Sequence, residues 1–166
     1  MLKPLKRIIN FRTAILVFLY ILFRNDNQSF TTYEIKEESM SPELLPEDYI
    51  FAHKVKNEMV RGDIVVFENE EKGIDVVKRV IGLPGEVISS ADGSVLINNK
   101  AISDPWAQTM TDDFIKYEIE ENEFFVLGDD RKISTSDSRT LGAIESNRCL
   151  KVKYRYWPYQ RIKSYE

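Results

Sequence analysis

The chain has 166 residues, enough for one domain with a buried core, and its apolar and charged fractions of 43% and 30% are ordinary for a folded protein. The net charge is −4, but five of the 23 basic residues and no acid fall in the first 24 positions, so the rest of the chain carries 18 basic against 27 acidic side chains. Nucleic-acid binders hold phosphates with cations, so this acidic body argues against a nucleic-acid partner.

Cys149 and His53 are the only cysteine and the only histidine of the sequence. A single cysteine excludes an intramolecular disulfide, and one cysteine with one histidine excludes a multi-histidine or Cys/His metal site. His53 lies in the strand-like segment YIFAHKV, where we interpret it as a structural or surface residue. We therefore expect neither a metal nor a cofactor.

The N-terminal segment has a basic start, an apolar run over residues 13–23 and a polar stretch after it. Eleven residues are short against the ~20 that cross a bilayer core, but Arg12 can snorkel to the headgroups, which leaves a short or tilted span open. The polar stretch contains no small-residue cleavage site, which argues against a removed signal peptide. We favour an uncleaved membrane anchor in residues 1–30 over an interfacial or buried helix. Four of the cations precede the run, so the positive-inside rule predicts a cytoplasmic N-terminus and an extracytoplasmic domain over residues 31–166.

From Thr31 onward the chain alternates short segments rich in Val, Ile, Phe and Tyr with turn residues. The segments that we predict to be β-strands are YIFAHKV, DIVVFEN, DVVKRVIG, EVISS, SVLINNKAI, EFFVLG and LKVKYRYWP. Asp92-Gly93 and Asn98-Asn99 are typical hairpin turns. Residues 103–121 are interpreted as a loop over the sheet. The sequence therefore predicts a mainly β fold, with one antiparallel β-domain carried on an N-terminal transmembrane helix.

The segment VVKRVIG places a lysine inside a strand of branched aliphatic residues. Because strand side chains alternate between faces, Lys78 shares a face with Val76 and Val80, while Arg79 points the other way. Either the stem of Lys78 snorkels to solvent, or burial lowers its pKa and yields a neutral amine that can act as a base. A base needs a group to activate, and Ser39 is a candidate nucleophile.

Four motifs occur in order along the chain: ESMSPELLPEDYI, RGDIVVF, VVKRVIGLPGE and FFVLGDDRKISTSDSRTLGAI. Together they closely resemble the type I signal peptidases, the membrane-anchored Ser/Lys endopeptidases that remove signal peptides from exported proteins. The resemblance covers residues 33–158. It implies a β-rich peptidase core whose apolar surface meets membrane lipid, exported preproteins as substrates, Ser39 as the nucleophile and Lys78 as the general base.

The resemblance also implies a set of supporting residues. Met40 would shape the site beside the serine, and Gly128, Ser138 and Gly142 would shape the loop around it. Arg79 would pair with Asp129, and Asp137 with Arg139. The family's serine that hydrogen-bonds the lysine aligns with Ser134 from one side of the loop and with Thr135 from the other. We name Thr135, because the Asp-Ser-Arg sequence that anchors it is the better preserved.

The sequence departs from the family pattern at Glu37, where most relatives have a glycine or serine that helps to build the oxyanion hole. An ionised carboxylate cannot donate a hydrogen bond there, which leaves the backbone N–H of Ser39. Glu37 motivates a competing hypothesis, a signal-peptidase-like accessory or chaperone that binds a secreted protein such as a pilus subunit with little or no cleavage. The intact Ser39 and Lys78 weigh against it. A self-cleaving Ser/Lys regulator is disfavoured, because no DNA-binding module precedes Ser39.

Overall fold

The structure is a computed structural model that describes residues 30–54 and 59–165. The predicted anchor, residues 1–30, lies outside the described residues except for Phe30, which begins the first strand. Within the described ranges no helix combines the length and the apolar character needed to cross a membrane.

The described residues form a mainly β, antiparallel structure with few helices, as predicted. The strands are β1 (Phe30–Glu34), β2 (Tyr49–His53), β3 (Ile64–Asn69), β4 (Ile74–Gly82), β5 (Val87–Ala91), β6 (Ser94–Ile97), β7 (Lys100–Ala101), β8 (Tyr117–Glu118), β9 (Glu123–Leu127), β10 (Ile144–Glu145), β11 (Leu150–Trp157) and β12 (Lys163–Ser164). One short helix, α1 (Ser138–Leu141), follows β9. Single 3₁₀ turns cover Ser146–Arg148 and Tyr159–Arg161.

Two sheets are present in the part of the chain that the structure describes. The larger has the strand order β1-β2-β11-β3-β4-β9-β10, with β12 also paired to β11, and the smaller has the order β7-β6-β5-β8. Strand β4, which carries the lysine, lies between β3 and β9 inside the larger sheet. Strand β3 pairs with β4 from Ile74 to Arg79, and β9 pairs with it from Arg79 to Gly82, which makes β4 a rigid support for a functional group.

The hairpin turns form where the sequence predicts them. Asp92 and Gly93 have φ values of 51° and 77° between β5 and β6, and Asn98 and Asn99 have φ values of 51° and 64° between β6 and β7. These residue types tolerate positive φ, and such a pair of residues matches the twist of an antiparallel hairpin. The predicted loop over residues 103–121 also forms, except that its end adds strand β8 to β5.

Both faces of β3 and β4 are buried, which explains why these strands are rich in branched aliphatic residues on both faces. Val65 packs in one core cluster with Val76 and Val80, while Val66 belongs to a second cluster. Lys78 is the cross-strand partner of Val65. Cross-strand partners share a face, so the lysine stem enters the cluster that the sequence pattern predicted.

We expect Ile88→Ala to lower the free energy of unfolding by about 2–5 kcal/mol, because Ile88 is completely buried in the core that joins the smaller sheet to β9. Ile115→Ala is the matched control, since Ile115 is 91% exposed and its truncation should change stability by less than about 0.5 kcal/mol. Urea denaturation followed by circular dichroism measures both. Equal effects of the two variants would contradict this description of the core.

Candidate active site

The predicted nucleophile and base lie in direct contact. The Nζ atom of Lys78 donates a hydrogen bond of 2.7 Å to Oγ of Ser39 and one of 2.9 Å to the carbonyl oxygen of Val77. Both side chains are buried, with Ser39 5% and Lys78 1% exposed. The stem of Lys78 therefore does not snorkel to solvent, and its amine is held against a hydroxyl that it can deprotonate.

The surroundings of Lys78 favour the neutral amine. Burial lowers the pKa of Lys78 from its ordinary value of 10.5 to about 8, against the opposing negative charges of Asp137 and Glu37. A charged amine among aliphatic side chains loses hydration that two hydrogen bonds do not replace. At neutral pH a useful fraction of the molecules therefore carries the free base.

The turn that carries Ser39 packs tightly against Gly128. A Cβ atom on Gly128 would lie 2.5 Å from Oγ of Ser134 and 2.7 Å from the carbonyl oxygen of Ser39. That carbonyl accepts a hydrogen bond of 3.1 Å from the backbone N–H of Asp130. Only a glycine permits this approach, so Gly128 allows the loop after β9 to pack directly on the turn that carries Ser39. Met40, the next residue of that turn, is fully buried in the core and anchors the turn there.

Asp137 holds together the loop that follows β9, which lies beside Lys78. Its carboxylate accepts hydrogen bonds from Nε and Nη2 of Arg139 at 3.0 and 2.9 Å, from Oγ of Ser134 at 2.7 Å and from the N–H of Gly128 at 3.3 Å. Burial acts to raise the pKa of Asp137, but the hydrogen bonds from Arg139 and Ser134 hold it below its ordinary value. The ionised carboxylate thereby joins the start of the loop to its end. Asp137 also caps the N-terminus of α1. In that helix Oγ of Ser138 accepts a hydrogen bond of 2.8 Å from the backbone N–H of Val126.

The second predicted ion pair is present on the other face of β4. Arg79 donates from Nε and Nη2 to both carboxylate oxygens of Asp129, at 2.7 and 2.5 Å, and from Nη1 to the carbonyl oxygen of Gly62 at 2.7 Å. The indole of Trp106 covers the guanidinium, whose carbon lies 5.2 Å from the ring centroid. Two parallel hydrogen bonds from a fork-shaped donor fix both position and orientation, so this pair locks the loop after β9 to the strand that carries the base.

The structure does not bring Thr135 to the lysine, so the choice of Thr135 as its orienting hydroxyl is corrected here. Thr135 is exposed, and its carbonyl accepts a hydrogen bond from Thr140. Ser134, the other alternative, is buried against Gly128 and bonds Asp137. Thr135 faces away from the buried side of this loop, and counting from the Asp-Ser-Arg sequence therefore misassigned the position.

Two buried residues of this loop escaped the sequence analysis. Arg131 is 1% exposed and donates to the carbonyl of Gly128, to Oγ1 of Thr111 and to the carboxylate of Asp104, each at 2.7 Å. These hydrogen bonds connect the loop of residues 103–116 to Gly128, next to the turn that carries Ser39. Ser136 lines the cleft and accepts a hydrogen bond of 2.9 Å from Nζ of Lys72. The partners of Arg131 are distant in sequence, so no local sequence pattern predicts these contacts, although Arg131 itself lies within the motif FFVLGDDRKISTSDSRTLGAI.

The cleft in front of the dyad has a volume of about 240 Å³. One wall is the segment that runs from β1 to the nucleophile, and the other is the first half of β4. The residues that line it are Glu34, Ile35, Lys36, Glu37, Ser39, Met40, Ile74, Asp75, Val76, Val77, Lys78 and Ser136. An apolar floor beside strand β4 suits an extended peptide, which can add to a strand edge by backbone hydrogen bonds.

Glu37 faces this cleft. It is exposed, it lines the wall beside Ser39, and its charge opposes the lowering of the Lys78 pKa. His53, by contrast, is a buried residue of β2 and does not line the cleft. The nitrogen that contacts Oγ of Ser39 in the described site therefore belongs to a lysine and not to the histidine.

The C-terminal segment holds the nucleophile turn from behind. Arg161 donates to the carbonyl of Glu43 and to the carboxylate of Asp48, both at 3.1 Å, and Arg155 donates to the carbonyl of Glu43. Lys163 and the hydroxyl of Tyr165 donate to the carboxylate of Glu43 at 2.9 and 2.8 Å. The turn is thus clamped between the C-terminus and the loop after β9.

Comparisons with known proteins agree with this site. The model of a family described as signal peptidase, peptidase S26, matches residues 7–157. Signal peptidase I of Bacillus licheniformis is 31% identical over 149 residues, which span 81% of this chain and 80% of the relative. Signal peptidase I T of Bacillus subtilis (strain 168) is 30% identical over 165 residues, 90% of this chain and 84% of the relative. The crystal structure of a signal peptidase I from Enterococcus faecalis V583 has a TM-score of 0.52 and 29% identity, and the match covers 59% of this chain and 98% of that chain.

The antiparallel fold and these matches define a peptidase of the signal peptidase class. The chain belongs to the signal peptidase family, peptidase S26, and it is a signal peptidase hydrolase.

The amine of Lys78 is expected to titrate near pH 8, below the ordinary lysine pKa of 10.5. Because the free base is the form that accepts a proton, activity should rise with pH and level off above about pH 8. Glu37→Gln should lower the pKa of Lys78 further, and Glu38→Gln should leave it unchanged, since Glu38 does not line the cleft. NMR titration of isotope-labelled lysine side chains measures each value. A Lys78 that titrates at the ordinary lysine value of 10.5 would refute the description of the site.

Proposed function

We propose that the protein cleaves signal peptides from exported preproteins with Ser39 as the nucleophile and Lys78 as the general base. The observation that carries this proposal is the buried hydrogen bond of 2.7 Å between Nζ of Lys78 and Oγ of Ser39. Serine hydroxyls are weak nucleophiles until a base lies within hydrogen-bond reach, and the lowered pKa of Lys78 supplies such a base.

In the first half of the reaction, the neutral amine of Lys78 takes the hydroxyl proton of Ser39 while Oγ attacks the scissile carbonyl carbon. The ammonium then gives that proton to the leaving amine, the peptide C–N bond breaks, and an ester to Ser39 remains. In the second half, Lys78 takes a proton from water, whose oxygen attacks the ester. Return of the proton to Oγ of Ser39 releases the new carboxyl terminus and regenerates the neutral amine.

The developing oxyanion needs hydrogen-bond donors, and the backbone N–H of Ser39 is the donor that we assign to it. Asp137 and Asp129 do not take part in proton transfer in this scheme. They hold the loop after β9 in place through Arg139 and Arg79, so that the amine, the hydroxyl and the substrate carbonyl keep one geometry. The apolar floor of the cleft suits small side chains at the −1 and −3 positions of an extended substrate.

Binding without cleavage receives no support from the site. A protein that only binds an extended segment needs the walls of the cleft, but it does not need an amine buried at an energetic cost beside a serine. The contact between Ser39 and Lys78 therefore favours the peptidase over the accessory or chaperone alternative.

Ser39→Ala and Lys78→Met are each expected to reduce cleavage of a preprotein by roughly 10³-fold or more, and the double variant should be no worse, because nucleophile and base act as one unit. Lys78→Arg should fail equally, since a guanidinium keeps its proton. Mass spectrometry of the products from a secreted preprotein measures the rates, and circular dichroism checks the fold. Near-normal turnover by folded Lys78→Met protein would refute the dyad.

We also propose that residues 1–30 anchor the peptidase domain on the extracytoplasmic side of a membrane. The basic residues before the apolar run support this orientation. Exposed apolar side chains near the C-terminal end of the domain support contact with lipid: Trp157 is 51% exposed, Tyr159 67% and Ile162 63%. Aromatic and aliphatic side chains of this kind are typical of a membrane interface.

Deletion of residues 1–24 is expected to turn a membrane-bound protein into one that remains in the supernatant after ultracentrifugation, because it removes the apolar run. In intact spheroplasts that express the full chain, added protease should digest the domain from residue 31 onward. Protection of that domain until the cells are lysed would reverse the proposed topology.

A further inference from the structure

The cleft that holds Ser39 and Lys78 also carries two carboxylates without a salt bridge in residues 30–54 and 59–165. Glu37 lies two residues before Ser39 on one wall, and Asp75 lies three residues before Lys78 on the other. Both residues are exposed. A carboxylate next to the nucleophile opposes catalysis, because it stabilises the ammonium form of Lys78 and repels an oxyanion. A carboxylate at position 37 should therefore provide an interaction that a glycine or serine at that position could not.

The two lysines that line the cleft and the neighbouring Lys72 are engaged elsewhere. Lys36 pairs with Glu34 at 2.6 Å, Lys78 is bonded to Ser39, and Lys72 donates to Ser136 at 2.9 Å. The negative charges of Glu37 and Asp75 are consequently left to act on whatever enters the cleft. An exposed acidic pair on both sides of a peptide channel attracts a positively charged side chain.

The position of that side chain follows from strand geometry. A strand rises about 3.3 Å per residue, so Asp75 stands about 10 Å from Lys78 along β4. Glu37 lies two residues before Ser39, in a segment outside the strands, and is therefore at most about 7 Å from it along the backbone. A substrate that places its scissile bond at the dyad therefore passes these carboxylates with residues two or three positions away. We propose that this cleft selects preproteins that carry a lysine or arginine two or three residues from the cleaved bond, an inference that rests on the proposed cleavage reaction.

A substrate cation between the two walls also offsets the disadvantage of Glu37. Its positive charge screens the carboxylate from the amine of Lys78 and from the oxyanion, so the effect is expected in the rate of the complex as well as in its affinity. Charges at an exposed site interact weakly, and a preference of roughly fivefold is the expected size. The preference should shrink at high ionic strength, because salt screens exposed charges.

The test uses the full-length protein in detergent micelles and synthetic peptides with alanine at the −1 and −3 positions. One residue is varied among Lys, Gln and Glu, in separate series at two and at three positions on either side of the scissile bond. In at least one series the wild-type enzyme should cleave the Lys peptide with a kcat/KM roughly fivefold above the Gln peptide, and the Glu peptide should be the poorest. Mass spectrometry of the products gives the rates.

Substitutions assign the preference to the two carboxylates. Glu37→Gln and Asp75→Asn should each reduce the ratio between the Lys and Gln peptides, and Glu37→Lys should favour the Glu peptide. Glu38→Gln is the matched control, because Glu38 is an exposed neighbour that does not line the cleft, and it should keep the wild-type ratio. A ratio that survives in the Glu37→Gln, Asp75→Asn double variant would overturn the inference.

A binding measurement separates this inference from the cleavage reaction. Ser39→Ala protein should bind fluorescently labelled Lys peptide more tightly than Gln peptide in an anisotropy titration, whether or not the wild type cuts either. If no peptide is cut but this order of affinities holds, the selectivity stands and the peptidase reaction is refuted. Equal kcat/KM and equal affinity for the Lys and Gln peptides in all series, or no binding of either, would overturn the selectivity.

Discussion

The burial of one amine is the constraint on which the site depends. Lys78 can serve as the base of the proposed reaction because its strand lies inside the larger sheet, with aliphatic residues on the same face and hydrogen bonds to Ser39 and to Val77 at the amine. A charged ammonium is costly in that position, and the cost is what makes the free base available near pH 8. The same position on an exposed strand would leave a protonated, inert lysine.

A buried amine is useful only if the nucleophile stays against it, and the loop after β9 provides that restraint. Gly128 allows the loop to touch the backbone of Ser39, and Asp137 ties Gly128 to Ser134 and Arg139. The C-terminal segment holds the other side of the nucleophile turn through Glu43. Catalysis by positioned groups depends on such restraints, because a shift of 1 Å between base and hydroxyl removes most of the advantage.

The two faces of β4 carry basic side chains in different charge states. Lys78 on one face is desolvated and approaches neutrality, whereas Arg79 on the other keeps its charge by pairing with Asp129. One strand can serve both purposes because successive side chains point to opposite faces. Glu37 and Asp75 add a negative field at the mouth of the cleft. A field of that sign opposes the reaction of a neutral substrate and favours a cationic one, so the cleft that performs the chemistry also discriminates among substrates.

The sequence by itself determined the local features of this protein. Period-two patterns and turn residues identified most of the longer strands, and alternation placed Lys78 and Arg79 on opposite faces. Four ordered motifs identified the family and predicted its dyad. These features depend on neighbouring residues or on motif order. The tertiary structure alone showed that Ser134 is buried against Gly128 while Thr135 is exposed, because burial in a loop depends on what packs beneath it. It alone revealed Arg131, Ser136 and the clamp on Glu43, which join residues far apart in sequence and leave no periodic signal. It also decided that Glu37 faces the cleft, since the direction of an exposed side chain after a strand is set by the fold around it and not by its neighbours in the chain.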